Sequence, residues 1–284
     1  MTTLQLTQHL VDEIAPLLGM GEANSIARLV LEDVFGWRRG SHPRKLDQDE
    51  QILAWTTINR LKAGEPVQYV TGVADFYGLQ LKVTPDVLIP RPETEELVEW
   101  VLEENGSTTQ QVAFDLGTGS GCIPLALKAR RPGWKCFGAD VSEQALELAR
   151  ENAEKLGLEV GFSRFDLLAE GESIPAPVSL LISNPPYIPP SEREKMGAST
   201  LAHEPELALF VPEEDPLLFY RRILEIGHSA LAQGGKVYVE TNEFNNERVA
   251  ALFSEAGYTD VERRQDLQGK WRMVRGSRRV SANT

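Results

Sequence analysis

Val178-Ser179-Leu180-Leu181-Ile182-Ser183-Asn184-Pro185-Pro186-Tyr187 reads as a buried strand that stops abruptly in a rigid loop. The apolar run Val178–Ile182 has the length and aliphatic character of a core strand, and the two prolines close it. Consecutive prolines fix φ and remove two backbone donors, so the carbonyls of Asn184 and Pro185 have no neighbouring N–H in the loop and can face a ligand. Asn184 adds a side-chain carbonyl. Two acceptors at a fixed spacing are what a planar NH2 group needs if both its protons are to be held while its nitrogen reacts. Tyr187 supplies a flat wall. Asn184, Pro185 and Tyr187 are therefore the candidate catalytic residues, and with Pro186 they are candidates for binding the acceptor.

A Pro-Pro turn can also do no more than end a strand. What favours a functional loop here is a second one upstream. Gln111-Val112-Ala113-Phe114-Asp115 reads as a strand, and Leu116-Gly117-Thr118-Gly119-Ser120-Gly121 as a turn into a helix that opens near Cys122 or Ile123. Glycines let backbone approach a ligand closely, and a helix N-terminus points N–H groups at it. Cys122 stands where the dinucleotide fingerprint requires its third glycine, so a nicotinamide or flavin dinucleotide is not the expected ligand. The next strand, Trp134 to Ala139, ends in Asp140, placed to accept from a ribose diol. Asn-Pro-Pro-Tyr closing a strand resembles the signature of amino-methyltransferases that use S-adenosylmethionine on planar nitrogens.

The chain has 284 residues, of which 42% are hydrophobic, enough for one large α/β domain and a small companion. Its formal net charge of −13 argues against a partner held mainly through phosphates, so no direct nucleic-acid substrate is expected. A basic tail, Arg263 to Arg279, is the exception to the acidic balance. No run suits a membrane span, and Asp12 and Glu13 precede the first basic residue, so no leader and a cytoplasmic location are expected. Two cysteines, Cys122 and Cys136, and four scattered histidines suggest neither a disulfide framework nor a metal site.

Three helices are predicted first. Their apolar stripes are Leu10, Ile14, Leu17 and Leu18, then Ile26, Leu29, Val30 and Val34, then Ile52, Trp55, Ile58 and Leu61. Asp47-x-x-Glu50 resembles a capping box for the third. Residues 1–71 are thus a helical domain, 72–86 a hairpin linker around Gly78, and 87–284 a catalytic domain. Within the last, Pro90 and Pro92 form a rigid turn into a helix, with Arg91 a candidate acceptor-binding residue. A strand near Val160 runs to Phe165-Asp166-Leu167. Ile188 to Val211 reads as an irregular lid. The strands near Thr259–Arg264 and Trp271–Arg275 suggest an antiparallel hairpin that closes the sheet.

In order, Gly64-Glu65-Pro66-Val67-Gln68-Tyr69, Leu88-Ile89-Pro90-Arg91-Pro92-Glu93-Thr94-Glu95, Asp115-Leu116-Gly117-Thr118-Gly119-Ser120-Gly121 and Asn184-Pro185-Pro186-Tyr187-Ile188 resemble the HemK/PrmC family. These are the glutamine N5-methyltransferases of peptide chain release factors, and the likeness covers nearly the whole chain. It implies a class I S-adenosylmethionine-dependent methyltransferase, α/β with a seven-stranded, mostly parallel sheet and a terminal antiparallel hairpin, plus a small N-terminal helical domain that helps grip the release factor. The acceptor would be the glutamine of a Gly-Gly-Gln loop. Gly117, Thr118, Gly119, Ser120 and Gly121 would take the methionine end of the cofactor, Asp140 the ribose, Asp166 and Leu167 the adenine region, with Asn184 beside the methyl group. Leu167 departs from members with an aromatic there. The rival readings are a glutamine methyltransferase of a ribosomal protein, a nucleic-acid adenine N6-methyltransferase, and a noncatalytic cofactor-binding protein.

Overall fold

A computed structural model describes residues 1–38, 40–106, 110–169, 171–175 and 177–279; residues 280–284, the end of the expected catalytic segment, lie outside them. Capping starts the N-terminal helices. Thr2 accepts from Gln5 N and opens α1 (Thr3–Leu18), α2 spans Met20–Asp33, and Asp47 with Glu50 forms the predicted capping box of α3 (Gln48–Lys62). A short α4 (Val67–Thr71) follows Pro66. Leu6, Leu10, Ile14, Val30, Leu31 and Ile58 fuse these helices into one core. The stripes differ from expectation in part: Leu17, Leu18, Ile52 and Trp55 are exposed, and α3 instead buries Ala54 and Thr57 beside Ile58 and Leu61.

The chain divides into two compact units, one of Met1–Ala74, Val83–Pro85 and Met196–Glu204, the other of Asp75–Lys82, Asp86–Lys195 and Pro205–Thr284. In the predicted hairpin, β1 (Val73–Phe76) pairs with β2 (Leu79–Lys82). Tyr77 and Gly78, both at positive φ, make its turn. Its outer part packs into the second unit: Phe76 and Leu81 belong to that unit's core, and Asn152 grips Lys82 by accepting from its N–H and donating to its carbonyl.

Pro92 opens α5 (Pro92–Glu104), preset for the first helical position. There follow β3 (Val112–Leu116), α6 (Cys122–Arg130), β4 (Lys135–Asp140), α7 (Glu143–Leu156), β5 (Val160–Arg164) and β6 (Val178–Ser183). The segment expected to be an irregular lid holds a 3-10 turn (Pro190–Lys195), α8 (Ala198–His203), which groups with the first unit, and α9 (Glu206–Leu209). Leu209 and Val211 are buried. The chain ends in α10 (Leu218–Ala230), β7 (Leu231–Glu240), α11 (Asn246–Glu255), β8 (Thr259–Gln265) and β9 (Trp271–Ser277).

The seven strands run in the order β5-β4-β3-β6-β7-β9-β8, parallel through β7 and antiparallel at β9 and β8. Apolar clusters cover both faces, one holding Val98, Val101 and Leu125, the other Ile223, Val249 and Phe253. From β3 the chain winds outward to β4 and β5, then returns to β6 and β7 on the other side. The crevice between β3 and β6 is thus the switch point where such sheets bind ligands. Among the described residues no helix is long and apolar enough to cross a membrane.

Candidate functional site

Parallel register carries the C-terminal ends of β3, β4, β6 and β7 to one edge: Leu116 lies level with Ala139, and Ser183 with Val239. Ser183 Oγ donates to the Leu116 carbonyl at 2.7 Å, which ties the two loops together at the switch point. The glycine turn after β3 is drawn back onto β4, because the N–H groups of Gly117 and Thr118 both donate to the Ala139 carbonyl. Gly117, Gly119 and Gly121 all have φ between +52° and +81°, which glycine alone adopts cheaply. At Gly121 an added Cβ would meet Phe162, Ala149 and Leu125, whereas at Gly117 and Gly119 it would meet nothing. The first keeps α6 close to its neighbours; the other two face open space.

Asp140 sits where expected, at the end of β4, and already organises the turn. Its Oδ2 accepts from Gly119 N at 2.9 Å and its Oδ1 from Ser142 N at 3.0 Å. Burial raises its pKa, opposed by those two bonds. Each oxygen retains a lone pair for a ribose hydroxyl.

Behind the turn lies a residue that the sequence reading passed over. Asp115 is 1% exposed, and neither its carboxylate oxygens nor the buried hydroxyls of Thr118 and Ser120 make a hydrogen bond of good geometry among the described residues, though the Thr118 hydroxyl lies near the carboxylate. Burial pushes the Asp115 carboxyl up to about 7; the Thr118 hydroxyl opposes that rise and the Asp140 charge adds to it. Unpaired buried groups are costly and call for a partner. An orphaned carboxylate, two orphaned hydroxyls, open glycines and the α6 N-terminus fit the zwitterionic methionine end of S-adenosylmethionine. Its ammonium suits Asp115, and its carboxylate the N-terminus of α6.

At the neighbouring strand end, Asn184 is half-buried, and its Nδ2 donates to Thr94 Oγ1 at 3.1 Å. Thr94 Oγ1 donates in turn to Glu240 Oε2 at 2.6 Å, and Tyr187 OH to Glu240 Oε1 at 3.3 Å. The Tyr187 carbonyl accepts from Asn242, which fixes the far end of the loop. Burial pushes Glu240 up to about 7 against the Thr94 bond, with the Glu93 charge adding to the rise. Burial and the Glu240 charge lift Tyr187 far above the ordinary phenol range, so its ring is a neutral wall and not an acid or base.

The structure therefore gathers Asn184, Pro185, Pro186 and Tyr187 beside Gly117–Gly121 and Asp140. Arg91 immediately precedes α5, three residues before Thr94, and its charge reaches Tyr187. Asp166 and Leu167 lie just past β5, beyond β4. The Asp166 side chain accepts from Leu168 N, and the Leu167 carbonyl accepts from Arg222. Thr94 and Glu240 were also missed. Their signals were a hydroxyl inside the Pro-Arg-Pro-Glu-Thr-Glu stretch and a carboxylate ending the apolar strand Val237-Tyr238-Val239.

Residues 94–209 match the model of the methyltransferase small domain, and residues 16–72 that of the PrmC N-terminal domain. The release factor glutamine methyltransferase of Bacteroides thetaiotaomicron is 43% identical over 78% of this chain and 79% of its own length. That of Flavobacterium psychrophilum is 35% identical over 93% of this chain and 95% of its own. That of Streptomyces coelicolor is 35% identical over 95% and 94%. Among solved structures, a methyltransferase from Pyrococcus furiosus superimposes with a TM-score of 0.52 at 18% identity, over 82% of this chain and all of that one. The human methyltransferase 10 domain containing protein gives 0.53 at 17%, over 84% and 100%. Both carry the same fold.

Proposed function

The chain belongs to the family of release factor glutamine methyltransferases, and on that premise we propose that Asn184 and Pro185 hold the side-chain amide of a release factor's glutamine while its nitrogen takes a methyl group from S-adenosylmethionine. The enzyme is an S-adenosylmethionine-dependent protein-glutamine methyltransferase. The acceptor is the N5 nitrogen of the glutamine in a Gly-Gly-Gln loop.

A glutamine amide is a poor nucleophile because its lone pair is delocalised into the carbonyl. When bound, S-adenosylmethionine supplies an electrophilic methyl group on a sulfonium. What the protein adds is orientation. Asn184 Oδ1 and the Pro185 carbonyl each accept one amide proton, which aims the nitrogen and favours positive charge building on it. Pro186 stiffens the loop, Tyr187 walls it, and Arg91 lies at its acceptor side. No general base is required: as the N–C bond forms the methyl–sulfur bond would break, and the nitrogen's proton then departs to water. Asp115 and the Gly117–Gly121 turn hold the amino-acid end of the cofactor, Asp140 its ribose, and Asp166 with Leu167 its adenine region.

The observation that carries this reading is the commitment of the Asn184 NH2 to Thr94, which presents the carbonyl end of that side chain to a ligand. The first unit serves to dock the release factor, and the enzyme works in the cytoplasm on protein rather than nucleic acid, in keeping with a net charge of −13. Labelled cofactor offered in parallel with release factor, its Gly-Gly-Glu variant, a ribosomal protein and DNA tests the proposal. Label should enter the unmodified release factor alone. Preferential labelling of DNA or of the ribosomal protein would overturn it.

A further inference from the structure

An asparagine side chain has an acceptor end and a donor end of nearly the same shape, so its hydrogen-bond partners decide which end faces a ligand. At Asn184 that partner is Thr94 Oγ1, a group able to give one proton or to receive one. Thr94 is 3% exposed and Glu240 is 1% exposed, and the 2.6 Å bond between them spends the threonine's single proton on the carboxylate. A hydroxyl so committed can only accept from Asn184, and hence takes its NH2. The second carboxylate oxygen of Glu240 accepts from Tyr187, and Tyr220 OH holds the Glu240 backbone carbonyl at 3.1 Å. The ionised Glu240 carboxylate thus accepts from two hydroxyls, while Tyr220 fixes its backbone.

We propose that Thr94 and Glu240 are positioning residues that set the polarity of the Asn184 amide, so that its Oδ1 and not its NH2 meets the acceptor nitrogen. Freed from Glu240, the Thr94 proton turns to Asn184, the amide reverses, and a donor confronts the substrate's own donor. The register places this relay, because Ser183 is level with Val239, and the residues that follow them are Asn184, just past β6, and Glu240, the last of β7. The inference rests on the reading of Asn184 as an acceptor of amide protons.

Thr94→Val keeps the shape and removes the hydroxyl. With release factor and S-adenosylmethionine as substrates, it should lower kcat at least tenfold, with release-factor KM and cofactor Kd within about threefold of wild type. Thr94→Ser should restore most of the rate. In an Asn184→Ala background, Thr94→Val should cost almost nothing further, because the group it positions is gone. If Thr94→Val does not fold, Glu240→Gln carries the same test. Glutamine offers one acceptor where two hydroxyls each need one, so it should lower kcat at least threefold while that loss also vanishes in Asn184→Ala. Wild-type kcat in Thr94→Val, or an undiminished loss in the Asn184→Ala background, overturns the proposal. Wild-type kcat in Asn184→Ala alone would instead remove the reading of Asn184 on which the proposal stands.

Discussion

Asp115 is buried behind the glycine turn, and if it receives the cofactor ammonium as proposed, its titration should reveal it. Below about pH 7 the free enzyme carries it protonated, and a neutral carboxyl pairs poorly with an ammonium. Cofactor affinity should therefore fall as pH drops from about 8 to about 6, approaching tenfold per unit below the folded pKa, whereas in Asp115→Asn it should be weak and flat. Calorimetry across that range decides it, and a flat wild-type profile would remove Asp115 from the ammonium site. The stability sign is equally definite. A folded pKa raised above the unfolded value means that the contribution is fully present below about pH 4 and is lost as pH rises through about 7, and Glu240 behaves the same way. Asn184, the glycine turn and Asp140 were legible in the sequence because each carries its reason within a few neighbouring residues. Thr94 and Glu240 were not, because a bond between residues 146 positions apart exists only once the sheet has formed.

At the scale of elements, α5 is pinned at both ends. Thr94 ties its first turn to the end of β7. In its last turn, Glu104 accepts from Tyr238 OH at 2.6 Å, Lys236 Nζ at 3.1 Å and Arg275 Nε at 3.0 Å. Burial pushes Glu104 up, but the Tyr238 and Lys236 bonds and the Lys236 and Arg275 charges outweigh it and hold the carboxyl below its ordinary value. Glu104→Gln should cost about 1 to 2 kcal/mol, since it deprives Lys236 of its counter-charge in a partly buried site, while Arg275 keeps Glu262. Urea unfolding should show a lower midpoint at unchanged slope. The difference from wild type should shrink as pH falls through the lowered folded value, because stability from a depressed carboxyl exists above the unfolded pKa and is lost in acid. An equal deficit at acid and neutral pH would count against the ion network. Helix starts such as Asp47 and Pro92 were readable because caps are local. Faces were less so: Ile52 and Trp55 fit the helical period as well as Ala54 and Thr57 do, and packing decides between them. A five-residue helix such as α4 shows no period at all.

For the whole molecule, every proposed site residue lies in the second unit, while the first has its own apolar core around Leu6, Leu10, Ile14 and Leu31. If the first unit docks the release factor as proposed, that division makes docking separable from chemistry and measurable. A chain shortened to begin at Asp75 keeps Phe76 and Leu81, which complete the catalytic core, and should bind S-adenosylmethionine within about threefold of the full chain. Its release-factor KM should rise at least tenfold, because the docking surface has gone while the transition-state contacts at Asn184 and Pro185 remain. Within the first unit, Ser199 of α8 donates to the Gly64 carbonyl at 2.7 Å, so shortening the chain also strips α8 of that partner. Ser199→Ala in the full chain isolates this loss and should leave KM within about twofold of wild type, since an exposed hydroxyl bond contributes little. If the shortened chain methylates release factor with an unchanged KM, the first unit does not dock the substrate. If Ser199→Ala alone reproduces the rise, then the helical unit acts by holding α8, and its surface is not where the release factor is gripped.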